Sequence, residues 1–466
     1  MAEWIVLPHE MMGWLQDTNP AKFEKCLGGK PSGIANWWAE LQAQPKGREL
    51  WAAHPWLRGR RPKDLSRHLP LMVFDDAGPV SNVSSSFIRC WYSLLGGGSE
   101  KETRFLINTG IKEDGKEDKS WAEILNSFER LAQPVDGDKW GGILLFVGAD
   151  LDYICNVIGL PHFNSTQPCA DCCANTTDLP HNDFGSNAAW RATVRTNDEY
   201  MNAIRRPLHP LASHPIFNRF TYRHDMLHML DHHGVASSII ANVFWEHVKH
   251  GTPTSVLPGA TIGERVAFLN AEMKAWYGQP PNNTCSRLPL LKPDNIKDAD
   301  AFPELHGNGV KAANTRGIVP FVLMLQERAV RELPDMRQRH ILKVISSLQD
   351  IYDVCYSSTS FLTPASQDKL RKACYRLGIH YQALQVLSLA AGDKFWKSSS
   401  KLHYTCAHLC EQAALVNPRT VQGYMSESLV GVICMIYHLS QGGPFHRRVQ
   451  EIALLKYRAG LFYLWS

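Results

Sequence analysis

The sequence lacks long apolar runs and a recognisable export signal. None of its 466 residues lies in a stretch that approaches the ~20 consecutive apolar residues of a membrane-spanning helix. The first residues, MAEWIVLPHEMMGWL, have neither the basic start nor the small-residue cleavage site of a signal peptide. We therefore expect no membrane association and no secretion. The 12 cysteines are better interpreted as reduced thiols or metal ligands than as a disulfide framework.

A strong charge of either sign is also missing, as are internal repeats and low-complexity segments. The 49 Lys and Arg residues nearly balance the 45 Asp and Glu residues, and the net charge of +4 permits nucleic-acid binding without requiring it. No long basic arm, zinc-finger array or helix-turn-helix pattern is present. Any module that reads a DNA sequence is therefore absent or unrecognisable.

The residues that are present predict an α/β core with a helical half. At about 150 residues per domain, the length suggests two or three domains. Residues 1–66, punctuated by Trp and Pro, predict short helices. Three strand-like runs between 70 and 110 are followed by SWAEILNSFERLAQ, which has helical spacing and a predicted capping box at Ser120 and Glu123. The continuous apolar run GGILLFVGAD then predicts a strand that is buried on both faces. The element order is β-β-β-α-β-α.

The second half of the chain changes character. Residues 162–222 are rich in loops, and FTYRHDMLHMLDHH predicts a short extended segment that leads into a helix. Residues 252–310 are expected to be irregular, whereas residues 311–466 are almost wholly helical. We predict four regions. Residues 1–66 form an N-terminal helical segment, and residues 67–250 form a core with the CxxC loop. Residues 251–400 form a helical insertion, and residues 401–466 form C-terminal helices that complete the core.

Two aspartates follow strand-like runs. Asp76 ends LMVFDD, and Asp150 ends ILLFVGAD. In the predicted order the first and fourth strands lie side by side, which would bring the two carboxylates together as ligands for Mg²⁺ or Mn²⁺. Each aspartate alone could be an ordinary turn residue, and the neighbouring Asp75 and Asp152 leave open which acid is used.

Cysteines and histidines form two half-sites that mirror each other along the chain. Cys169 and Cys172 form a CxxC motif that begins 19 residues after Asp150, and Glu427 follows 19 residues after His408. The CxxC lies in a Pro-rich loop, which favours zinc over a redox pair. His403 and His408 are five residues apart and point about 140° away from each other on an ideal helix. We therefore expect them to share a metal only if His403 lies at or before the start of the helix. The rival ligands on the same face are Cys406 and Cys410.

The segment HDMLHMLDHH is the densest polar cluster in the chain. Asp225 and His228 are three residues apart on one helical face, and His224 and His232 extend the cluster. These side chains could bind metal, orient a catalytic carboxylate or form a buried hydrogen-bonded network. Their spacing favours a supporting role over direct ligation.

In the order of these motifs the chain resembles DDE transposases that have an RNase H-like core interrupted by a large helical insertion. This group includes the hAT, CACTA-like and Transib elements and the related V(D)J recombinase large subunit. Asp76 and Asp150 fall where the family has its first two catalytic aspartates, and Glu427 fits the final glutamate. Asp225 and His228 match the C/D(2)H signature that follows the second aspartate.

The same resemblance covers the Cys and His half-sites. It implies an α/β fold with a mixed five-stranded sheet, two Mg²⁺ or Mn²⁺ ions held by the acids, and one structural zinc ion. The zinc ligands of the Transib and V(D)J type match four positions here in order and spacing: Cys169, Cys172, His403 and His408.

The resemblance implies metal-dependent DNA strand cleavage and strand transfer, with DNA as partner, homodimer formation and a nuclear location. The alternative is a catalytically inactive, domesticated descendant that serves as a DNA- or protein-binding scaffold. The final acid could instead be Glu327 or Glu332. A third hypothesis, a helical zinc protein unrelated to nucleic acids, predicts no five-stranded mixed sheet between 70 and 225.

Overall fold

The protein is described by a computed structural model that covers residues 5–79, 85–97, 99–111, 120–251, 253, 256–298, 300–440 and 449–465. Within these ranges the chain forms an α/β fold in which helices surround one mixed sheet of five strands. The strands are β1 (His68–Pro79), β2 (Ser85–Ser93), β3 (Phe105–Ile111), β4 (Gly141–Ala149) and β5 (Tyr222–His224).

The sheet has the strand order β3-β2-β1-β4-β5. The first three strands form an antiparallel meander, whereas β4 lies parallel to β1 and β5 lies parallel to β4. The predicted order and the predicted pairing of the first and fourth strands are therefore confirmed. The parallel pairing of β1 with β4 ends at Phe74 and Gly148, so Asp76 and Asp150, two residues further on, lie at the same edge of this pair. A purely helical zinc protein is excluded.

The N-terminal segment consists of four short helices, as predicted. They are α1 (Pro8–Thr18), α2 (Pro20–Leu27), α3 (Pro31–Ala43) and α4 (Pro45–Ala53). Each begins with a proline, whose fixed φ and missing N–H suit the first position of a helix. The buried Trp37 and Trp38 anchor α3 in the core of the sheet.

Three helices accompany the sheet between β2 and β5: α5 (Glu100–Thr103), α6 (Trp121–Leu131) and α7 (Leu151–Tyr153). The predicted capping box at the start of α6 is wrong for Ser120, whose side chain makes no cap hydrogen bond. Its hydroxyl instead accepts hydrogen bonds from Arg89 and Asn108. These buried donors hold the hydroxyl away from the backbone amides of α6.

Residues between α7 and β5 are mostly loops, as predicted. They contain a π-helical turn at Ile154–Ile158 and two short helices, α8 (Asn197–Asn202) and α9 (Pro210–Ser213). After β5 the chain makes a second π-helical turn, Leu227–Asp231, and enters α10 (Val235–His250).

The remainder of the chain is helical. Its helices are α11 (Ile262–Tyr277), α12 (Pro293–Ile296), α13 (Ala312–Glu332), α14 (Met336–Ser357), α15 (Pro364–Ala390), α16 (Ser400–Ala407), α17 (Leu409–Ala413), α18 (Tyr424–Ser440) and α19 (Val449–Trp465). The irregular structure expected at 252–310 is wrong for α11. A capping box formed by Thr261 and Glu264 starts this helix and was the missed signal.

Two hydrophobic cores lie side by side. The first surrounds the sheet and includes residues of α1 to α4, α6, α18 and α19, whereas the second is built by α10, α11 and α13 to α17. The helix α16 joins them, because Tyr404 packs in the first core and Leu402 in the second. In the described ranges no helix is long and apolar enough to cross a membrane. The domain boundaries at 66, 250 and 400 remain predictions.

Candidate functional site

A cleft of about 800 Å³ opens at the edge of the sheet where β1 and β4 end. It is lined by acidic, basic and histidine side chains from five separate parts of the chain and by apolar side chains of α18. The polar residues that matter for its chemistry are Asp76, Asp150, His228, His232, Lys401 and Glu427.

Asp75 and Asp76 are adjacent on β1 and therefore point to opposite faces of the sheet. Asp75 is fully buried and forms an ion pair of 2.6 Å with Arg89, whose guanidinium also lies 4.3 Å from the centre of the Trp121 ring. Asp76 faces the cleft, and its Oδ1 accepts a hydrogen bond of 2.8 Å from the backbone N–H of Ala77. Of the two acids, Asp76 is thus the one available to a ligand.

Asp150 follows β4 directly and caps α7. Its Oδ1 accepts a hydrogen bond of 2.7 Å from the backbone N–H of Tyr153, a cap that fixes the carboxylate at the mouth of the cleft. The neighbouring Asp152 also lines the cleft but is exposed and accepts a hydrogen bond from Asn156.

Asp225 organises the wall of the cleft opposite Asp76. Its Oδ2 accepts a hydrogen bond of 2.8 Å from Nδ1 of His228, and its Oδ1 accepts from the backbone N–H groups of Leu227 and Gly423 at 3.0 and 2.7 Å. The Nε2 of His228 then lies 3.1 Å from Oε1 of Glu427. The Asp225 side chain is completely buried, so it orients His228 and does not itself reach the cleft.

The charged groups in the cleft shift the pKa values of one another. Burial raises the pKa of Asp76 well above its usual range, and the charges of Glu427 and Asp150 raise it further. Burial opposes the charged form of His228, but hydrogen bonds to Asp225 and Glu427 outweigh it and raise the histidine pKa well above its usual value. Burial likewise opposes ionisation of Glu427, yet the hydrogen bond from His228 lowers its pKa. Ionised acids in this cleft repel one another, and a bound cation would favour their ionised forms.

The side chains of Asp76, His228 and Glu427 offer ligand atoms that all lie within 4.8 Å of one another. Asp150 lines the same cleft but is not part of this compact group. The structure therefore brings two of the three predicted metal-binding acids together with His228, for which a supporting role was predicted, and leaves Asp150 outside the group. The alternative acids Glu327 and Glu332 are exposed on α13 and do not line the cleft.

The Cys and His half-sites converge into a second ligand group. Cys169, Cys172, His403 and His408 each offer one atom, all within 4.8 Å of one another, and all four residues are at most 2 % exposed. The Sγ of Cys169 lies 3.3 Å from Nε2 of His408, and the Sγ of Cys172 lies 3.4 Å from Nε2 of His403. This group can hold a metal ion that accepts thiolate and imidazole ligands.

The expectation that the two histidines meet only if His403 lies at or before the start of the helix is wrong. His403 lies inside α16, and the helix instead ends at Ala407, so that His408 sits at the junction with α17 with φ of −110°. This break turns the second imidazole back, and the two rings lie 5.3 Å apart. Spacing along one ideal helix cannot express such a break.

Residues around the Cys/His group hold its ligands in orientation. Nδ1 of His403 lies 2.8 Å from the carbonyl oxygen of His181, which places the proton on Nδ1 and leaves Nε2 for a metal. Asp171, between the two cysteines, accepts a hydrogen bond of 2.9 Å from His224 at the end of β5. The CxxC loop is thereby tied to the residue that directly precedes Asp225. The rival ligands Cys406 and Cys410 lie outside the four-residue group.

Sequence reasoning missed Lys401. Its Nζ donates a hydrogen bond of 2.8 Å to the carbonyl oxygen of His233 and lines the cleft together with the acids. Burial lowers the pKa of Lys401, and the charges of Glu304 and Asp150 partly restore it. The only available signal was the position of Lys401 two residues before His403.

No protein-family model matches the chain, and a search of curated proteins finds no sequence that matches it. The function must therefore be inferred from the geometry of the cleft and of the Cys/His group.

Proposed function

We propose that this protein is a metal-dependent phosphoryl-transfer enzyme that acts on nucleic acid. More specifically, we propose a polynucleotidyl transferase of the DDE transposase type with an RNase H-like core, which cleaves DNA strands and transfers them. One observation carries the proposal: Asp76 and Asp150 each lie two residues beyond the last pair of the parallel strands β1 and β4, Phe74 and Gly148, and share a cleft with Glu427 from α18.

The acids would hold two Mg²⁺ or Mn²⁺ ions, for which oxygen ligands are suited. When bound, such ions activate a water or a 3′-hydroxyl group and stabilise the leaving oxygen of an in-line displacement. The chain itself contributes fixed positions, because Asp150 is held by its cap and Asp76 by the backbone of β1. His228, oriented by Asp225, holds Glu427 against the cleft.

We propose zinc for the Cys/His group. With metal–ligand distances of about 2.3 Å for sulfur and 2.0–2.1 Å for nitrogen, tetrahedral geometry requires about 3.5 Å between a sulfur and a nitrogen. The two sulfur–nitrogen distances of 3.3 and 3.4 Å fit this requirement. Because all four ligands are buried and come from the protein, the zinc role is structural, and the ion would clamp the CxxC loop to α16.

DNA is the proposed partner, and phosphate contacts would make its binding salt-sensitive. Lys401 is the basic side chain that lines the cleft in the described part of the chain, so it is placed to meet a phosphate beside the acids. A homodimer and a nuclear location are further expectations of the same proposal.

The test is Mn²⁺-dependent nicking of a supercoiled duplex by wild-type protein and by Asp150→Asn. Asn preserves the cap on Tyr153 because its side-chain oxygen also accepts, but it removes the charge. We expect a loss of nicking of at least about 100-fold. Asp138→Ala is the control, since Asp138 is an exposed partner of Arg67 that does not line the cleft. Equal cleavage by wild type and Asp150→Asn would exclude the proposed role.

The second candidate is an inactive scaffold that retains the fold and the zinc group. It is favoured by the ion pair between His228 and Glu427, which engages the final acid without a metal. Titration of the protein with Mn²⁺ separates the two functions. Saturable binding that is lost in Asp76→Asn supports the enzyme, whereas the absence of binding supports the scaffold.

A further inference from the structure

A buried hydrogen-bonded cluster joins the helical half of the protein, which comprises α10 to α17, to the start of α18. Asp231 ends the π-helical turn after β5 and is 2 % exposed. One of its carboxylate oxygens accepts a hydrogen bond from the hydroxyl of Tyr352 on α14, and the other accepts from the hydroxyl of Tyr424, the first residue of α18. We call these three residues the tyrosine clasp.

A second set of contacts reinforces the same junction. The guanidinium of Arg316 on α13 lies 4.4 Å from the centre of the Tyr424 ring and 4.6 Å from that of Tyr356. The hydroxyl of Tyr356 donates a hydrogen bond of 2.8 Å to the side-chain oxygen of Gln422. Two helices of the helical half therefore hold the residues that lead into α18.

The segment between these contacts has little freedom. The backbone N–H of Gly423 donates to Asp225, and a Cβ at this position would lie 2.6 Å from both the Asp225 carboxylate and the Phe74 ring. Only glycine fits this close approach. The N–H of Glu427 in turn donates to the carbonyl oxygen of Gly423 at 2.8 Å, so one helical turn separates the fixed segment from the acid.

We propose that the tyrosine clasp is a positioning device through which α13 and α14 set the place of Glu427 in the cleft. Asp231 is a positioning residue, because it touches neither the cleft nor the acids and acts through Tyr424 and the first turn of α18. Burial raises the pKa of Asp231 and the two hydroxyl donors lower it, so that the pKa is about 7. The ionised carboxylate is therefore stabilised by both tyrosines. The helical half thereby contributes to the geometry of the cleft. This proposal rests on the metal-binding role of Glu427 proposed above.

The test compares Tyr424→Phe and Tyr352→Phe with Tyr381→Phe. Each variant deletes one hydroxyl from a ring that is buried in Tyr352 and Tyr381 and partly buried in Tyr424. The hydroxyl of Tyr381 donates to the carbonyl oxygen of Lys397 in the helical half. All three should lose similar thermal stability. Only the two clasp variants should weaken Mn²⁺ binding, by roughly tenfold, as removal of supporting hydrogen bonds typically does. They should also speed hydrogen exchange in the first two turns of α18, which Tyr381→Phe should leave unchanged.

The outcomes separate the two proposals. Unchanged exchange in α18 in both clasp variants would overturn the positioning role, whatever the metal result. If wild-type protein binds no Mn²⁺ while the clasp variants still loosen α18, the metal-binding function fails and the mechanical coupling stands. Loss of Mn²⁺ affinity in Tyr381→Phe equal to that in Tyr424→Phe would show a general effect of destabilisation and would contradict the proposal.

Discussion

At the scale of single residues, Asp75 and Asp76 have opposite roles despite being neighbours. Strand geometry sends Asp75 into the face that contains Arg89, where the ion pair has no exposed atoms, and sends Asp76 towards Glu427. Asp75 therefore stabilises the fold. The ionised form of Asp76 destabilises it, and a bound cation can offset this destabilisation. A buried charge that loses its partner is strongly destabilising, and a buried acid among like charges resists ionisation.

We predict that Asp75→Asn and Asp76→Asn change stability in opposite directions at pH 7 without added Mg²⁺ or Mn²⁺. Asp75→Asn removes the countercharge of a buried guanidinium and should lower the free energy of unfolding by about 3–5 kcal/mol. Asp76→Asn should raise it, because the folded protein raises the pKa of Asp76 and so disfavours its ionised form. Denaturant unfolding measures both.

The stability effect of Asp76→Asn should depend on pH. Its pKa is raised in the folded protein, so the carboxyl contributes stability below its ordinary pKa of 3.8 and loses that contribution as the pH rises through the folded value. The advantage of Asp76→Asn over wild type should therefore shrink as the pH falls towards 4. An advantage that is independent of pH would contradict this explanation.

At the scale of elements, the Cys/His group joins a loop to a broken helix. The CxxC loop contributes two ligands, and the junction of α16 with α17 contributes the others. Asp171 and His224 extend the connection to β5. A metal at this position would add to existing contacts between these segments, such as the hydrogen bond of 2.8 Å that the hydroxyl of Tyr404 accepts from the backbone N–H of Ala170.

We predict that Cys169→Ser purifies with about one zinc equivalent less than wild type, because a hydroxyl replaces a thiolate in a closed four-ligand site. Cys173→Ser is the matched control. Cys173 is adjacent to Cys172 but lies outside the ligand group and is only partly buried. Elemental analysis of the purified proteins checks the result. Equal zinc content in wild type and Cys169→Ser would contradict the assignment.

At the scale of the whole molecule, the sheet is completed by helices from the other end of the chain. Residues of α18 pack against β1, and residues of α19 pack against β3. The side chain of Trp465 is fully buried beside Phe105, and Lys22 on α2 donates to the carbonyl oxygen of Leu464. The core of the sheet therefore needs residues that follow the helical half.

We predict that a chain that ends at residue 400 has no cooperative thermal unfolding of the sheet, although it contains all five strands. Removing α18 and α19 exposes apolar surface that the full chain buries, at a cost of about 25 cal/mol per Å². Coexpression with a fragment of residues 401–466 should restore the transition. A truncated chain with wild-type melting behaviour would show that the sheet core is independent of its C-terminal helices.

Much of this protein was predictable from the sequence because the decisive signals are local. Alternating and continuous apolar runs predicted the strand order along the chain, and the acids at the ends of β1 and β4 followed from it. The CxxC motif and the paired histidines predicted the second ligand group, which the structure assembles. A capping box at Thr261 and Glu264 is also a local signal for the start of α11, in a segment rich in prolines and asparagines.

Only the tertiary structure decided the rest, because it depends on contacts between residues distant in the chain. The helix α16 ends before His408, and the imidazoles of His403 and His408 lie 5.3 Å apart. The pairing of β1 with β2 places Arg89 opposite Asp75 and so decides that Asp75 is the acid held in an ion pair. The contacts of Asp231 with Tyr352 and Tyr424 join segments whose meeting no periodicity encodes. The sequence by itself determined which chemical groups are available, and the fold determined which of them meet in one cleft.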